Sequence, residues 1–206
     1  TLRCAFLWTA VTTFTSVAVA EAQAPNDSAI QAILHERIDG GIVRGMVVGV
    51  IDPDGKRRVV AYGSSGTPGL ALDGNTVFEI GSVSKTFTNT ILATMVLRGE
   101  VQLEDPIQKY LPETMKVPSR NGRAITILDL ATASSGLPRL PGNLKPANPR
   151  NPYADYSVQQ MYDFLSSYTL PRDPGAQYEY SNLGMGLLGH LLALKAGKSY
   201  EALLIE

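Results

Sequence analysis

Apolar residues recur with two different periods along the chain, and these periods predict short strands near the beginning and helices after it. Residues 46–51 and 56–62 read as two strands separated by the turn Asp52-Pro53-Asp54-Gly55, a pattern typical of an antiparallel β-hairpin. A further short strand is expected at residues 77–80. Helical spacing of apolar positions predicts six helices, over residues 28–39, 82–98, 105–110, 126–133, 157–168 and 182–196.

The helix predicted at 82–98 begins with a Ser-x-x-Lys motif, Ser82-Val83-Ser84-Lys85. Residues three apart lie on one helix face, so Ser82 and Lys85 are expected to point the same way. Gly81 allows a tight entry, and the helix N-terminus favours negative charge on the serine oxygen. A serine needs a nearby base to become a nucleophile, and a lysine serves as one only where its surroundings lower its pKa. Without further context, the motif is interpreted as a helix cap and a solvated lysine.

A second motif, Tyr180-Ser181-Asn182, follows the turn Pro174-Gly175. A tyrosine hydroxyl can relay a proton between a nucleophile and a leaving group if a cation lowers its pKa. An asparagine carboxamide can bind a substrate amide and orient a lysine. Tyr178, Tyr180 and Asn182 share a face only if the segment is extended, and an aromatic loop packed on the core is the alternative.

In this order and context, the two motifs resemble those of the penicillin-recognising serine hydrolases, which include class C β-lactamases, DD-peptidases and related esterases. The resemblance implies a β-lactamase/transpeptidase-like α/β (α+β) fold and no cofactor. It also implies that Ser82 is the acylated nucleophile, that Lys85 and Tyr180 share the acid and base work, and that Asn182 helps to bind substrate. Which of Lys85 and Tyr180 is the principal base stays open.

Residues 125–132 and 135–138 resemble a further stretch of that family, which usually has His-Thr where this chain has Ala133-Ser134. We expect that difference to remove local hydrogen bonds and to leave catalysis intact. The family's third motif, Lys-Thr-Gly or His-x-Gly on a strand, is not found up to residue 206. The resemblance therefore predicts an incomplete fold, with a sheet part at 25–81, a mainly helical part at 82–206, and the C-terminal strands and last helix absent.

Charge and composition exclude several other classes of function. The formal net charge is -1, without the basic stripe of a nucleic-acid-binding protein. Two isolated histidines do not form a metal site. Residues 1–24 contain an uncharged apolar run with A-x-A patterns and read as a secretory signal peptide, which predicts a periplasmic or extracellular protein. Contact with a membrane is expected only through that segment if it is uncleaved, and a short membrane anchor is the alternative.

The leading hypothesis is a serine hydrolase that acts through an acyl-enzyme on β-lactams, D-alanyl peptides or small esters, so that the partner is a small molecule or a peptidoglycan peptide. The alternatives are a non-hydrolytic penicillin-recognising sensor and an inactive fragment. Residues 184–189 fit Gly-x-Gly-x-x-Gly, which raises the remote alternative of a dinucleotide-binding oxidoreductase. We expect these glycines to let a helix pack closely instead. Core packing is expected for three tyrosines, Tyr153, Tyr156 and Tyr162, and lining of the active-site cleft is the alternative.

Overall fold

A computed structural model describes residues 24–206 of the chain, which divides after residue 79 into two compact units. In the first unit, helix α1 (Asp27–Asp39) packs on the antiparallel strands β1 (Gly45–Ile51) and β2 (Arg57–Gly63). Asn26 caps the helix by accepting a hydrogen bond from the Ala29 amide. The buried side chains of this small core are Ile30, Leu34 and Val60.

The predicted hairpin is confirmed, with Gly45 opposite Gly63 and Ile51 opposite Arg57. The strand predicted at residues 77–80 is wrong, because this segment is irregular in the structure. A strand requires a neighbouring backbone edge to bond its N–H and C=O groups, and no strand in the described part of the chain pairs with this segment. Its apolar side chains are largely exposed, Val77 to 93%.

The second unit is mainly helical. Its helices are α2 (Ser84–Leu97), α3 (Ile127–Ala131), α4 (Val158–Ser167), α5 (Asn182–Ala196) and α6 (Tyr200–Ile205). A two-residue hairpin pairs β3 (Ser119–Arg120) with β4 (Arg123–Ala124). The helix expected at 105–110 is shorter than predicted, since only Ile107–Tyr110 form a 3-10 turn.

Helix α5 lies at the centre of this unit and contacts α2, α3 and α6. Its buried leucines are Leu183, Leu187, Leu188, Leu191 and Leu192. The Gly-x-Gly-x-x-Gly motif lies inside this helix, and a Cβ on Gly189 would stand 3.1 Å from the Tyr200 ring. A dinucleotide fingerprint needs a strand leading into its glycines, whereas residues 176–181 are in no strand. The dinucleotide alternative is therefore wrong, and Gly189 serves close packing.

Helix α2 begins two residues later than predicted, because the 3-10 turn Gly81–Val83 precedes it. Gly81 enters this turn with φ +53°, a left-handed conformation that glycine adopts without a steric penalty. The buried face of the helix consists of Thr88, Ile91, Leu92 and Met95. Val83 and Phe87 are exposed, although they recur at the same four-residue spacing as Ile91 and Met95.

The predicted signal segment lies, except for Ala24, outside the described residues. Among residues 24–206, none of the helices combines the length and the apolar character that crossing a membrane requires.

Candidate active site

Ser82 and Lys85 meet at the start of α2. Ser82 lies in the 3-10 turn, and Lys85 is the second residue of the helix. The Lys85 Nζ donates a hydrogen bond to the Ser82 Oγ at 3.1 Å. The spacing of the Ser-x-x-Lys motif thus brings a hydroxyl and an ammonium group into contact. It does so although Ser82 lies in a 3-10 turn and only Lys85 lies in the α-helix.

Tyr180 and Asn182 reach the same place from the start of α5. The Tyr180 hydroxyl forms a hydrogen bond with the Ser82 Oγ, across 98 positions of sequence. The Asn182 Oδ1 accepts a hydrogen bond from the Lys85 Nζ at 2.8 Å. The structure therefore brings all four residues selected from the sequence into one connected cluster. The expected extended face is only partly present, since Asn182 is the first residue of α5 and Tyr178 is 66% exposed.

The segment 133–139 holds Tyr180 and its neighbours in place through its backbone carbonyls. The Pro138 carbonyl accepts a hydrogen bond from the Ser181 Oγ at 2.7 Å, and the Arg139 carbonyl accepts one from the backbone amide of Asn182 at 3.0 Å. The Ser181 Oγ also accepts from the Gly184 amide at 2.8 Å and caps α5. These bonds satisfy donors that a helix start leaves free, and they fix the position at which the Tyr180 side chain leaves the backbone.

The expected loss of hydrogen bonding at Ala133-Ser134 is wrong for one of the two residues. The Ser134 hydroxyl is hydrogen-bonded to the Thr132 Oγ1 at 2.9 Å. Ala133 has no side-chain polar group, but its carbonyl accepts from the Glu179 amide at 2.7 Å. Ala133 adopts this geometry at φ +55°, which costs a residue with a Cβ more than it costs glycine.

Two cations surround the aromatic ring of Tyr180. The Lys85 Nζ is 4.6 Å from the ring centroid, and the Arg139 Cζ is 5.0 Å from it. The pKa of the Tyr180 hydroxyl is lowered, first by its interaction with the Lys85 ammonium, next by the hydrogen bond with Ser82, and further by the charge of Arg139. Nearby positive charge favours the phenolate because it stabilises the deprotonated form.

Sequence reasoning missed Arg139 and favoured the wrong surroundings for Tyr153. Arg139 was not selected, although it directly follows the recognisable Ser135-Gly136-Leu137-Pro138. For Tyr153 the expected core packing is wrong and the cleft alternative holds, since the side chain is 54% exposed and its hydroxyl accepts from the Asn182 Nδ2 at 3.4 Å. Neither contact has a sequence signature, because each joins segments far apart in the chain. Tyr162 is partly buried as expected, and its hydroxyl bonds the His190 Nε2 at 2.6 Å.

A cavity of about 1020 Å³ opens beside the cluster within the second unit. Ser82, Lys85 and Asn182 line one part of it. The apolar residues of its wall include Leu140, Leu144, Met161 and Met185. Ligand sites are typically concave and mostly apolar, with a few convergent polar groups, and this cavity has that composition. In the part of the chain that the structure describes, no group of three His, Cys, Asp or Glu residues is placed to hold a metal ion.

Residues 30–206 match the family model described as Beta-lactamase. The chain belongs to the beta-lactamase family. It is 37% identical over 171 residues to the D-alanyl-D-alanine-carboxypeptidase/endopeptidase AmpH of Escherichia coli K12, which covers 81% of this chain and 43% of that protein. It is 31% identical over 180 residues to a beta-lactamase of Pseudomonas fluorescens, which covers 86% of this chain and 45% of the relative.

The crystal structure of a beta-lactamase/D-alanine carboxypeptidase from Yersinia pestis superposes with a TM-score of 0.66 at 26% identity, over 87% of this chain and 52% of the other. The expected beta-lactamase fold is thereby confirmed. The chain spans about half the length of the beta-lactamase family members that it matches.

Proposed function

We propose that the full-length protein is a serine hydrolase that works through an acyl-enzyme, with Ser82 as the nucleophile. The observation that carries this proposal is that the Ser82 Oγ is hydrogen-bonded by both the Tyr180 hydroxyl and the Lys85 Nζ. A nucleophile held against a proton acceptor and a cation is the arrangement that activated serines require. Membership of the beta-lactamase family supports the same reaction class.

In the proposed acylation step, the Tyr180 phenolate takes the proton of Ser82 while the Oγ attacks the acyl carbon of the substrate. Tyr180 then gives this proton to the departing amine nitrogen or alcohol oxygen. The Lys85 ammonium holds the phenolate, and Asn182 keeps Lys85 oriented through the bond at 2.8 Å. Deacylation runs in reverse, with Tyr180 taking a proton from water and returning it to Ser82. Tyr180 is the base in this proposal because the positive charge around it lowers its pKa.

The proposed substrates are β-lactams, D-alanyl peptides and small esters, each a small molecule or a peptidoglycan peptide. Two matched relatives are named as a carboxypeptidase/endopeptidase and a beta-lactamase, which supports the first two classes. The cavity of about 1020 Å³ is large enough for any of them. The reaction as written needs no cofactor.

We also propose that residues 1–24 direct export of the protein. N-terminal sequencing of the secreted form should then show that it begins between residues 21 and 25.

Turnover by purified full-length protein tests the proposal. We expect hydrolysis of at least one of three probes: a chromogenic cephalosporin, a D-alanyl-D-alanine peptide and a p-nitrophenyl ester. Ser82→Ala should abolish it. Ser84→Ala is the matched control, since Ser84 is the next serine along the chain and its hydroxyl bonds the Gly81 carbonyl instead of the cluster. Equal turnover by Ser82→Ala would contradict the proposal, and a stable penicillin adduct without turnover would favour the sensor.

A further inference from the structure

The guanidinium of Arg139 lies against Tyr180, with its Cζ 5.0 Å from the centre of the ring. We propose that Arg139 is a positioning residue of the reaction, whose guanidinium holds the Tyr180 ring beside Ser82 and stabilises the phenolate form of that tyrosine. This inference rests on the proposed function of the site. It gives a role to a residue outside both sequence motifs.

The contact of Arg139 with Tyr180 is supported by the backbone around it. The Arg139 carbonyl accepts from the amides of Asn182 and Leu183 at 3.0 and 3.3 Å. The preceding carbonyl, of Pro138, accepts from the Ser181 hydroxyl. Residues 138–139 are therefore tied to the segment that carries Tyr180, and the arginine side chain starts from a fixed point next to the ring.

The charge of Arg139 is not neutralised by an acid within residues 80–206. The ion pairs of that unit are formed by other basic residues. Glu179, the carboxylate adjacent to Tyr180 in sequence, is paired with Arg172. Arg172 thus neutralises Glu179, and Arg139 lies over the Tyr180 ring.

Arg139 complements Lys85 and does not duplicate it. The Lys85 ammonium has three N–H donors, and two of them are directed at Ser82 and Asn182. A guanidinium stays charged at any pH at which the enzyme is folded, and a cation over an aromatic face is attracted to it. Arg139 therefore adds a second positive charge beside the Tyr180 ring.

Loss of the Arg139 charge should change the pH dependence of the reaction. Removing the guanidinium destabilises the phenolate, so the pKa of Tyr180 rises and a smaller fraction is in the basic form at a given pH. The acidic limb of kcat/KM should therefore move to higher pH. The backbone bonds of residue 139 do not depend on its side chain, so the fold around α5 should persist.

Kinetics of the full-length protein provide the first test. Below the acidic limb, Arg139→Gln should lower kcat/KM about two- to five-fold, as expected for an exposed cation–π pair, and should move the limb to higher pH. Arg139→Lys should restore most of the loss because it keeps the charge. Arg98→Gln is the control, since it removes the same charge at the far end of α2, about 20 Å away. A limb that stays in place in Arg139→Gln would overturn the inference.

A second readout does not depend on activity. With tyrosine labelled at ¹³Cζ and the Tyr180 resonance assigned by Tyr180→Phe, NMR titration reports the ionisation of Tyr180 directly. Arg139→Gln should titrate at higher pH than wild type, and identical titrations would reject the role of Arg139. If the titration shifts but no substrate is hydrolysed in a Ser82-dependent way, the proposed function fails while the contact between Arg139 and Tyr180 stands.

Discussion

The Tyr180 hydroxyl contacts Ser82, and its ring lies 4.6 Å from the Lys85 Nζ and 5.0 Å from the Arg139 Cζ. A free tyrosine gives up its proton near pH 10, which is too high for a base that must act at neutral pH. Each cation favours the phenolate and lowers the pKa. At the residue scale, the arrangement therefore provides both the contact and the charge that the proposed proton transfer from Ser82 needs.

Tyr180→Phe removes the proposed base and keeps the ring. We expect acylation to slow by about 10²–10⁴, the range typical of a positioned proton-transfer group, with little change in stability because the ring still packs. Tyr178→Phe is the matched control, two residues earlier and largely exposed, and should acylate at the wild-type rate. Stopped-flow acylation with a chromogenic β-lactam or ester measures both. Near-normal acylation in Tyr180→Phe would reduce Tyr180 to a packing role.

Ala133 carries a backbone strain that a single substitution should relieve. Its φ of +55° disfavours any residue with a Cβ, and glycine accepts it freely. Ala133→Gly should raise the free energy of unfolding by about 1 kcal/mol. Ala193→Gly, inside α5, should lower it by about 1 kcal/mol. Thermal unfolding distinguishes these opposite signs, and equal destabilisation by both would show that Ala133 is unstrained.

The site residues differ in how far the sequence could predict them. Ser82 and Lys85 are three positions apart, so helix geometry alone places them together. Tyr180 and Asn182 were found through resemblance to a family, because local rules cannot bring residue 180 to residue 82. Arg139 was missed, and core packing was wrongly favoured for Tyr153, since each of them meets the cluster only through a tertiary contact.

At the scale of elements, the start of α5 determines where Tyr180 and Asn182 stand. Ser181 is buried, caps the helix at the Gly184 amide and donates to the Pro138 carbonyl. A single hydroxyl thus joins the helix to the segment that carries Arg139. Loss of this hydroxyl leaves the buried Gly184 amide and the partly buried Pro138 carbonyl without their partner, which costs more than the loss of an exposed cap.

Ser181→Ala should therefore cost about 1–3 kcal/mol of unfolding free energy and should also slow acylation, because Tyr180 and Asn182 flank the altered position. Ser157→Ala removes the equivalent cap of α4, where Ser157 is exposed. It should cost about 1 kcal/mol and leave acylation unchanged. Urea unfolding and acylation kinetics measure the two effects. Unchanged acylation in Ser181→Ala would show that the cap does not position the site.

The helices whose bounds were predicted most accurately are those that begin after a helix-capping residue. Helices α1, α4 and α5 begin after capping side chains, Asn26, Ser157 and Ser181, and their predicted bounds differ by at most one residue. The strand at 77–80 was wrong because pairing depends on a partner edge, which no local pattern reveals. The hairpin of β3 and β4 and the helix α6 were missed, since each of the two strands has two residues and α6 has six, fewer than two helical turns.

At the scale of the whole molecule, protonation of His190 should couple stability to pH. His190 is half-buried, and burial lowers its pKa below that of a free histidine. The unfolded chain binds this proton near pH 6.5, while the folded protein resists it, so stability falls as the pH drops below about 6.5. Urea unfolding should show that the free energy of unfolding of His190→Gln declines less than that of wild type between about pH 7 and about pH 5, the range in which a histidine becomes charged. An equally steep decline in the variant would assign the dependence to other groups.

Membership of the beta-lactamase family defines the fold of the molecule more fully than the local sequence periods do. Local periods predicted a hairpin and a set of helices, which many folds share. The match of residues 30–206 to the beta-lactamase family selects one fold from these. Because the chain spans about half the length of its relatives, the proposed chemistry of Ser82 is best tested on the full-length protein.

The most direct measurement is to map the covalent adduct. Full-length protein is mixed with benzylpenicillin or a fluorophosphonate, quenched in acid, digested and analysed by mass spectrometry. We expect the added mass on Ser82 and no adduct in Ser82→Ala, while Ser84→Ala should be labelled like wild type. An adduct on another residue, or labelling that is undiminished in Ser82→Ala, would contradict the proposed role of Ser82.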